Sequence, residues 1–207
     1  MTVVFKHMTR ENAEKLTRGE IRIGSFAYYQ DTEHQASIQD ANEGITVGYT
    51  DENTILTSDE RVETTIAGLK FVTESGGVID ISGVKFIKQL PPLYIYSTSF
   101  VGNVGHFEGY DTVIRINDIE EFGKIIVNGR RDLFHGYHAS RVQYQPVVYN
   151  ALNHQGIEPD PFIKGINFSR DEEYRVVFIP VTEVEKQVTF SLDTIQQAYK
   201  NGLFEII

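Results

Sequence analysis

The chain has 207 residues, of which 41% are hydrophobic and 23% charged, a composition that predicts one enlarged folded domain over 1–207 rather than a disordered tract. Cysteine is absent, which excludes disulfides, thiolate nucleophiles and cysteine-ligated zinc together. The net charge of −10 is uneven, with nine acidic residues between Asp31 and Glu63 against Arg61 alone, so a broad electrostatic grip on nucleic acid is not expected.

The opening MTVVFKHMTREN lacks the apolar core of a secretory signal, and no run approaches the ~20 apolar residues of a membrane span. The expected location is therefore cytoplasmic, with no membrane partner. Val3-Val4-Phe5 reads as a strand. Thr9 can cap a helix that runs through Ala13 and Leu16 to a stop at Gly19. Glu20 to Gly24 alternates polar and apolar as a half-buried strand does. Residues 25–44 read as an ordered loop holding Tyr28, Tyr29, Glu33, Asp40 and Glu43. From Ile45 to Lys88, short β-branched runs split by turn residues predict a meander of antiparallel strands.

After Pro91-Pro92, Leu93 to Phe100 is a strand rich in aromatic and β-branched residues. Thr112 to Ile116 is another. Asn117 as cap, Glu120 three positions on, and Ile119, Phe122, Ile125 and Ile126 on one face predict a helix closed by Gly129. Strands around Arg141 to Tyr149 and Tyr174 to Ile179, and a short helix from Leu192 to Lys200 ended by Gly202, complete the chain. The fold class expected is α+β, strand-dominated, with few helices.

Two segments carry candidate chemistry. Ser97-Thr98-Ser99 closes an apolar strand, where alternation puts Ser97 and Ser99 on one face and Thr98 on the other. Asp171, Glu172 and Glu173 precede Arg175 and an apolar run, and alternation puts Asp171 and Glu173 beside Arg175, in a cleft at the strand's entrance. The bland readings are serines bonded to local backbone and a solvated, charged strand start. His135 and His138 lack an evident third ligand for a metal site. Gly102 to Gly105 reads as a turn, since no Lys-Ser or Lys-Thr follows it.

An arginine on an early strand, a Ser-Thr-Ser strand in mid-chain and an acid-x-Glu pair on a late strand resemble the signature of ADP-ribosyltransferases. The residues are Arg22, Ser97-Thr98-Ser99 and Asp171-Glu172-Glu173. The segment Gly19 to Gly44, and Phe162-Ile163-Lys164 leading to Glu173-Tyr174-Arg175, also resemble bacterial phage-defence and toxin proteins related to that fold. Asp171 stands where the family's commoner pattern has Glu or Gln, which bears on the acceptor.

The resemblance implies split antiparallel sheets and NAD as substrate, with ADP-ribose passed to a macromolecular acceptor, protein or nucleic acid, and leaves room for an antitoxin partner. Glu173 would stabilise an oxocarbenium-like ribose and orient it through a hydroxyl, with Ser97 or Ser99 holding the carboxylate. Arg22 would pair with the diphosphate, although Arg10 and Arg18 lie close by in sequence. Tyr28, Tyr29 or Tyr96 would wall the nicotinamide, and Glu33 or Asp40 would assist acceptor deprotonation. An exposed cleft carboxylate at Glu173 is expected to tolerate Gln without loss of folding. The alternatives are an NAD glycohydrolase and a non-catalytic binding or assembly module.

Overall fold

A computed structural model describes residues 1–31, 40–153 and 158–207. In chain order, β1 (Val4–Met8) leads to α1 (Arg10–Thr17), β2 (Glu20–Ser25) and α2 (Phe26–Gln30). Six short strands follow: β3 (Ile45–Tyr49), β4 (Ile55–Ser58), β5 (Val62–Ile66), β6 (Leu69–Thr73), β7 (Gly77–Asp80) and β8 (Lys85–Gln89). Next come β9 (Tyr94–Ser99), β10 (Thr112–Ile116), α3 (Ile119–Gly129), β11 (Phe134–Arg141), β12 (Gln143–Gln145) and β13 (Val148–Asn150). The chain then forms β14 (Ile163–Gly165), a 3-10 helix (Ile166–Asp171), β15 (Glu173–Pro180), β16 (Gln187–Ser191), α4 (Asp193–Lys200) and β17 (Phe204–Ile206). The result is a mixed α+β fold dominated by strand.

The principal sheet has eight strands, all antiparallel, in the order β11-β15-β9-β1-β10-β17, with β2 also joined to β9 and β16 to β2. Alternation sorts its residues. Tyr94 and Tyr96 on β9, and Tyr174, Val176 and Phe178 on β15, face a core completed by Ala13 and Leu16 of α1, Phe122 and Ile126 of α3, and Ile195 of α4. Burying this face supplies the main driving force for folding. The helices thus cover one face, and the polar residues of β9 and β15 are left on the other.

The caps follow sequence logic with one shift. Thr9 accepts from the Asn12 amide at the start of α1. The cap of α3 is Asp118, not Asn117: Asp118 Oδ1 accepts from the amides of Glu120 and Glu121, while Asn117 Nδ2 donates to the Gly202 carbonyl. Gly19, at φ +96°, lies so close to Leu192 that a Cβ would stand 2.6 Å from its carbonyl oxygen.

Residues 45–89 do not form a meander. β3 pairs with β8, β4 with β7 and β5 with β6, so the strands nest as successive hairpins around a tip at Ala67 and Gly68. Both tip residues have positive φ, the geometry of a tight two-residue hairpin turn. Ile66 and Ala67 are buried with Ile81, Phe86, Tyr149 and Ala151 in a second, smaller apolar cluster. Among the described residues no helix is long and apolar enough to cross a membrane.

Candidate active site

β9 changes partner along its length. Its start pairs with β2, through Gly24↔Ile95 and Ser25↔Tyr94, and its end pairs with β1, through Phe5↔Ser99. Ser97, midway, has no residue of either strand in register with it on that edge. A cavity of about 350 Å³ opens at this fork and is lined from β1, β2, α2, β9, β14 and β15. That volume falls within the range of small-molecule sites.

Every residue of the inferred signature except Glu172 borders the cavity: Arg22, Ser97, Thr98, Ser99, Asp171 and Glu173. Tyr28, Tyr29 and Tyr96 border it too. Arg10 and Arg18 do not; Arg10 pairs with Glu14 and Arg18 caps α1. Their contributions differ from those read in the sequence. Thr98 Oγ1 donates to the Tyr174 carbonyl. Ser99 Oγ donates to the Asp171 carbonyl and accepts from the Val101 amide, so Ser99 secures backbone, and Ser97 alone of the three bonds the Glu173 carboxylate.

Glu173 is not an exposed cleft carboxylate. It is only 4% exposed and bonds Arg175 Nε at 2.6 Å and Lys164 Nζ at 3.2 Å. Burial alone would raise its pKa, but Arg175, Lys164 and the hydrogen bonds from Arg175 and Ser97 outweigh burial and hold the carboxyl well below the usual carboxylate range. Arg175, itself fully buried, also meets Glu43, with Glu43 Oε1 2.7 Å from its Nη1. Burial pushes the Glu43 carboxyl up, against the pull of Arg175.

Asp171 does not reach Glu173's face by strand alternation. It ends the 3-10 helix, and Glu172, at φ +41°, turns the chain before β15 begins. Lys164 nonetheless joins the two carboxylates, with its Nζ 3.0 Å from Asp171 Oδ2. Burial raises the Asp171 carboxyl, and Lys164 opposes it.

The aromatic residues divide. Tyr28 and Tyr29 lie edge to face with centroids 5.2 Å apart, close over Gly24, where a Cβ would stand 2.8 Å from the Tyr28 ring. Glycine is therefore what lets these rings approach the strand. Tyr29 also hydrogen-bonds Ser97; since the Glu173 carboxylate only accepts, Ser97 donates to it and Tyr29 donates to Ser97. Burial is the main reason the Tyr29 phenol is pushed well above its ordinary range. Tyr96 borders the cavity, but its ring packs on Phe122 in the core, as its parity with Tyr94 requires, so it does not serve as a free nicotinamide wall.

Glu33 lies outside the described residues. Asp40 is buried, accepts from the Asn42 amide and is not among the cavity-lining residues, which removes it as an acceptor base; its neighbour Glu43 borders the cavity instead. Of the loop from Asp40 to Gly44, Ala41 and Asn42 are exposed, and Glu43 is the residue that borders the cavity. His135 and His138 are exposed on β11, and no group of His, Asp and Glu among the described residues is arranged to hold a metal ion. The turn expected around Gly102 to Gly105 is present, with the His106 amide bonding the Asn103 carbonyl.

Lys6, Glu43 and Lys164 were not assigned roles by sequence pattern. For Lys6 and Lys164 the signal was a charge next to an apolar run, as in Val3-Val4-Phe5-Lys6 and Phe162-Ile163-Lys164; Glu43, in Asp40-Ala41-Asn42-Glu43, had none. Such a charge is rarely buried without partners.

Compared with protein-family models, with curated proteins and with solved structures, the chain matches none.

Proposed function

We propose that this protein cleaves NAD at the bond between nicotinamide and ribose and transfers ADP-ribose to a macromolecular acceptor, protein or nucleic acid, as a toxin or phage-defence effector would. The observation that carries the reading is Glu173: a carboxylate fixed by Arg175, Lys164 and Ser97, and held ionised, at the wall of a cavity of about 350 Å³. A permanently ionised, pre-oriented carboxylate suits stabilisation of a positive charge that develops on the ribose. It does not suit proton transfer, which requires a pKa near the working pH.

In this reading the glycosidic bond breaks with its electron pair going to the nicotinamide nitrogen, which leaves neutral. The oxocarbenium-like ribose forms beside Glu173, and the acceptor's nucleophile then bonds to the anomeric carbon and gives up its proton. Arg22, which borders the same cavity, supports the reading, since among the described residues it makes no ion pair and its planar fork of donors suits a diphosphate. Tyr28 and Tyr29 supply aromatic surface. The β9 fork agrees with the split sheets expected of ADP-ribosyltransferases.

The test is incubation with adenylate-labelled NAD and a cell lysate. Label in protein or nucleic acid supports transfer, and free ADP-ribose alone supports the glycohydrolase; consumption of no NAD would overturn both in favour of a binding module. Ser97→Ala removes one hydrogen bond to the carboxylate without removing a charge, and is expected to slow the reaction about 10- to 100-fold while the chain still unfolds cooperatively.

A further inference from the structure

The reactive-site reading leaves one cation unexplained. Lys6 stands in the middle of β1 between the buried Val4 and Met8, so it belongs to the strand face that packs against the helices. Its ammonium instead reaches the fork, where Nζ donates to the Ser97 carbonyl at 2.6 Å. That carbonyl lies where β9 has left β2 and has not yet met β1, so the ammonium takes the place of a missing strand. The same Nζ sits 4.8 Å from the centroid of the Tyr96 ring. Among the described residues no carboxylate lies within salt-bridge distance of it.

A half-buried ammonium has three donors, and the Ser97 carbonyl takes one of them. Its charged surroundings are Glu173 on β15, which favours its proton, Arg22 on β2, which disfavours it, and the adjacent His7. The phenols of Tyr29, Tyr96 and Tyr110 share the same cavity. Lys6 and Arg22 are near enough to repel, and neither has a contacting counter-ion among the described residues.

We propose that Lys6 is a positioning residue and an anion-holding group of this site: it fixes the Ser97 segment across the fork and gives its remaining N–H bonds to a diphosphate faced by Arg22 from β2. The proposal rests on the reading of the cavity as an NAD site and adds to it a second cation beside Arg22. Burial, more than any neighbour, lowers the Lys6 pKa to about 8. Below that value the ammonium is present and holds both the carbonyl and the anion. Above it the neutral amine holds neither as well, so anion binding is lost as pH rises.

The experiment is calorimetric titration with ADP-ribose, a diphosphate diester of constant charge, from about pH 6.5 to 9.5. For the wild type the dissociation constant should be flat at low pH and rise towards tenfold per pH unit above about 8, as loss of one required proton dictates. Lys6→Met should bind at least about tenfold more weakly at neutral pH, the loss of a charged hydrogen bond, and show no break. Lys6→Arg, whose guanidinium stays charged, should bind without the break.

A flat wild-type profile, no ADP-ribose binding, or the same break persisting in Lys6→Met would overturn the proposal. The wild type and Lys6→Met decide the matter even where arginine fails to fit. ADP-ribose binding with the expected break, but no consumption of NAD, would remove the transferase reading and leave Lys6 standing. NAD consumption with identical pH profiles in wild type and Lys6→Met would do the reverse.

Discussion

Glu173 is at once the group proposed for chemistry and a buried structural charge, so substitutions are expected to read out both roles together. Removing its negative charge leaves Arg175 and Lys164, only 1% and 9% exposed, with Glu43 and Asp171 as their remaining counter-ions. Breaking a buried network of this kind is costly, because the orphaned charge keeps its desolvation penalty. Glu173→Gln is therefore expected to lower stability by about 2 to 4 kcal/mol in urea unfolding, in addition to abolishing NAD cleavage. The pH dependence has a definite sign. The folded pKa of Glu173 lies below the ordinary value of 4.5, so the unfolded chain takes up a proton first as pH falls. The stability it contributes is complete above that value and is lost below it. Urea midpoints between about pH 6 and 3 should fall more steeply in the wild type than in Glu173→Gln. Glu43, raised by burial, works in the opposite sense and takes its proton in the folded state first.

At the scale of elements, the same kind of accounting separates neighbours in the sequence. Asn117 and Asp118 are both good cap residues, but only Asp118 accepts from the first free amides of α3. Asp118→Ala is expected to cost about 1 kcal/mol and Asn117→Ala distinctly less, measured by chemical denaturation. The sequence pattern placed the helix and missed its cap by one residue, because cap preference is similar for Asn and Asp and the choice is made by the backbone at Leu203 and Gly202 that holds Asn117. Strands were legible for the same reason: β2, β9, β10 and β15 each show the alternation or apolar run that burial against helices imposes. Their partners were not. The runs from Ile45 to Lys88 look alike whether they pair in succession or nest, since alternation fixes which face a residue takes and not which strand lies beside it. The left-handed Glu172 was equally hidden, and with it the fact that Lys164, not strand geometry, brings Asp171 to Glu173.

For the whole molecule, the decisive arrangement is two apolar clusters with the cavity built on one of them. The residues that line the cavity come from the principal sheet, α1, α2, the Phe107–Tyr110 loop, Glu43 and the segment holding Lys164 and Asp171; none comes from 45–89. The resemblance to a family signature grouped Arg22, Ser97 and Glu173, and it gave no role to Lys6 or Glu43, whose convergence on the site depends on the fork in β9 and on Arg175. The nested hairpins hold a separate core around Ile66, and Glu43 at their base is secured from outside them, by Arg175 and by Gln30 Nε2 bonding its carbonyl. The two regions should therefore open independently, as distinct cooperative units. Ile66→Ala, at a side chain 1% exposed, removes packing worth about 2 to 4 kcal/mol from the smaller cluster only. Hydrogen exchange should then quicken for amides of β3 to β8 and β13 and stay unchanged in β9 and β15. ADP-ribose affinity should match the wild type, because the lining of the cavity does not pass through the melted region. Faster exchange spreading to β9 would mean that the hairpins brace the fork after all, and that the cavity depends on both cores.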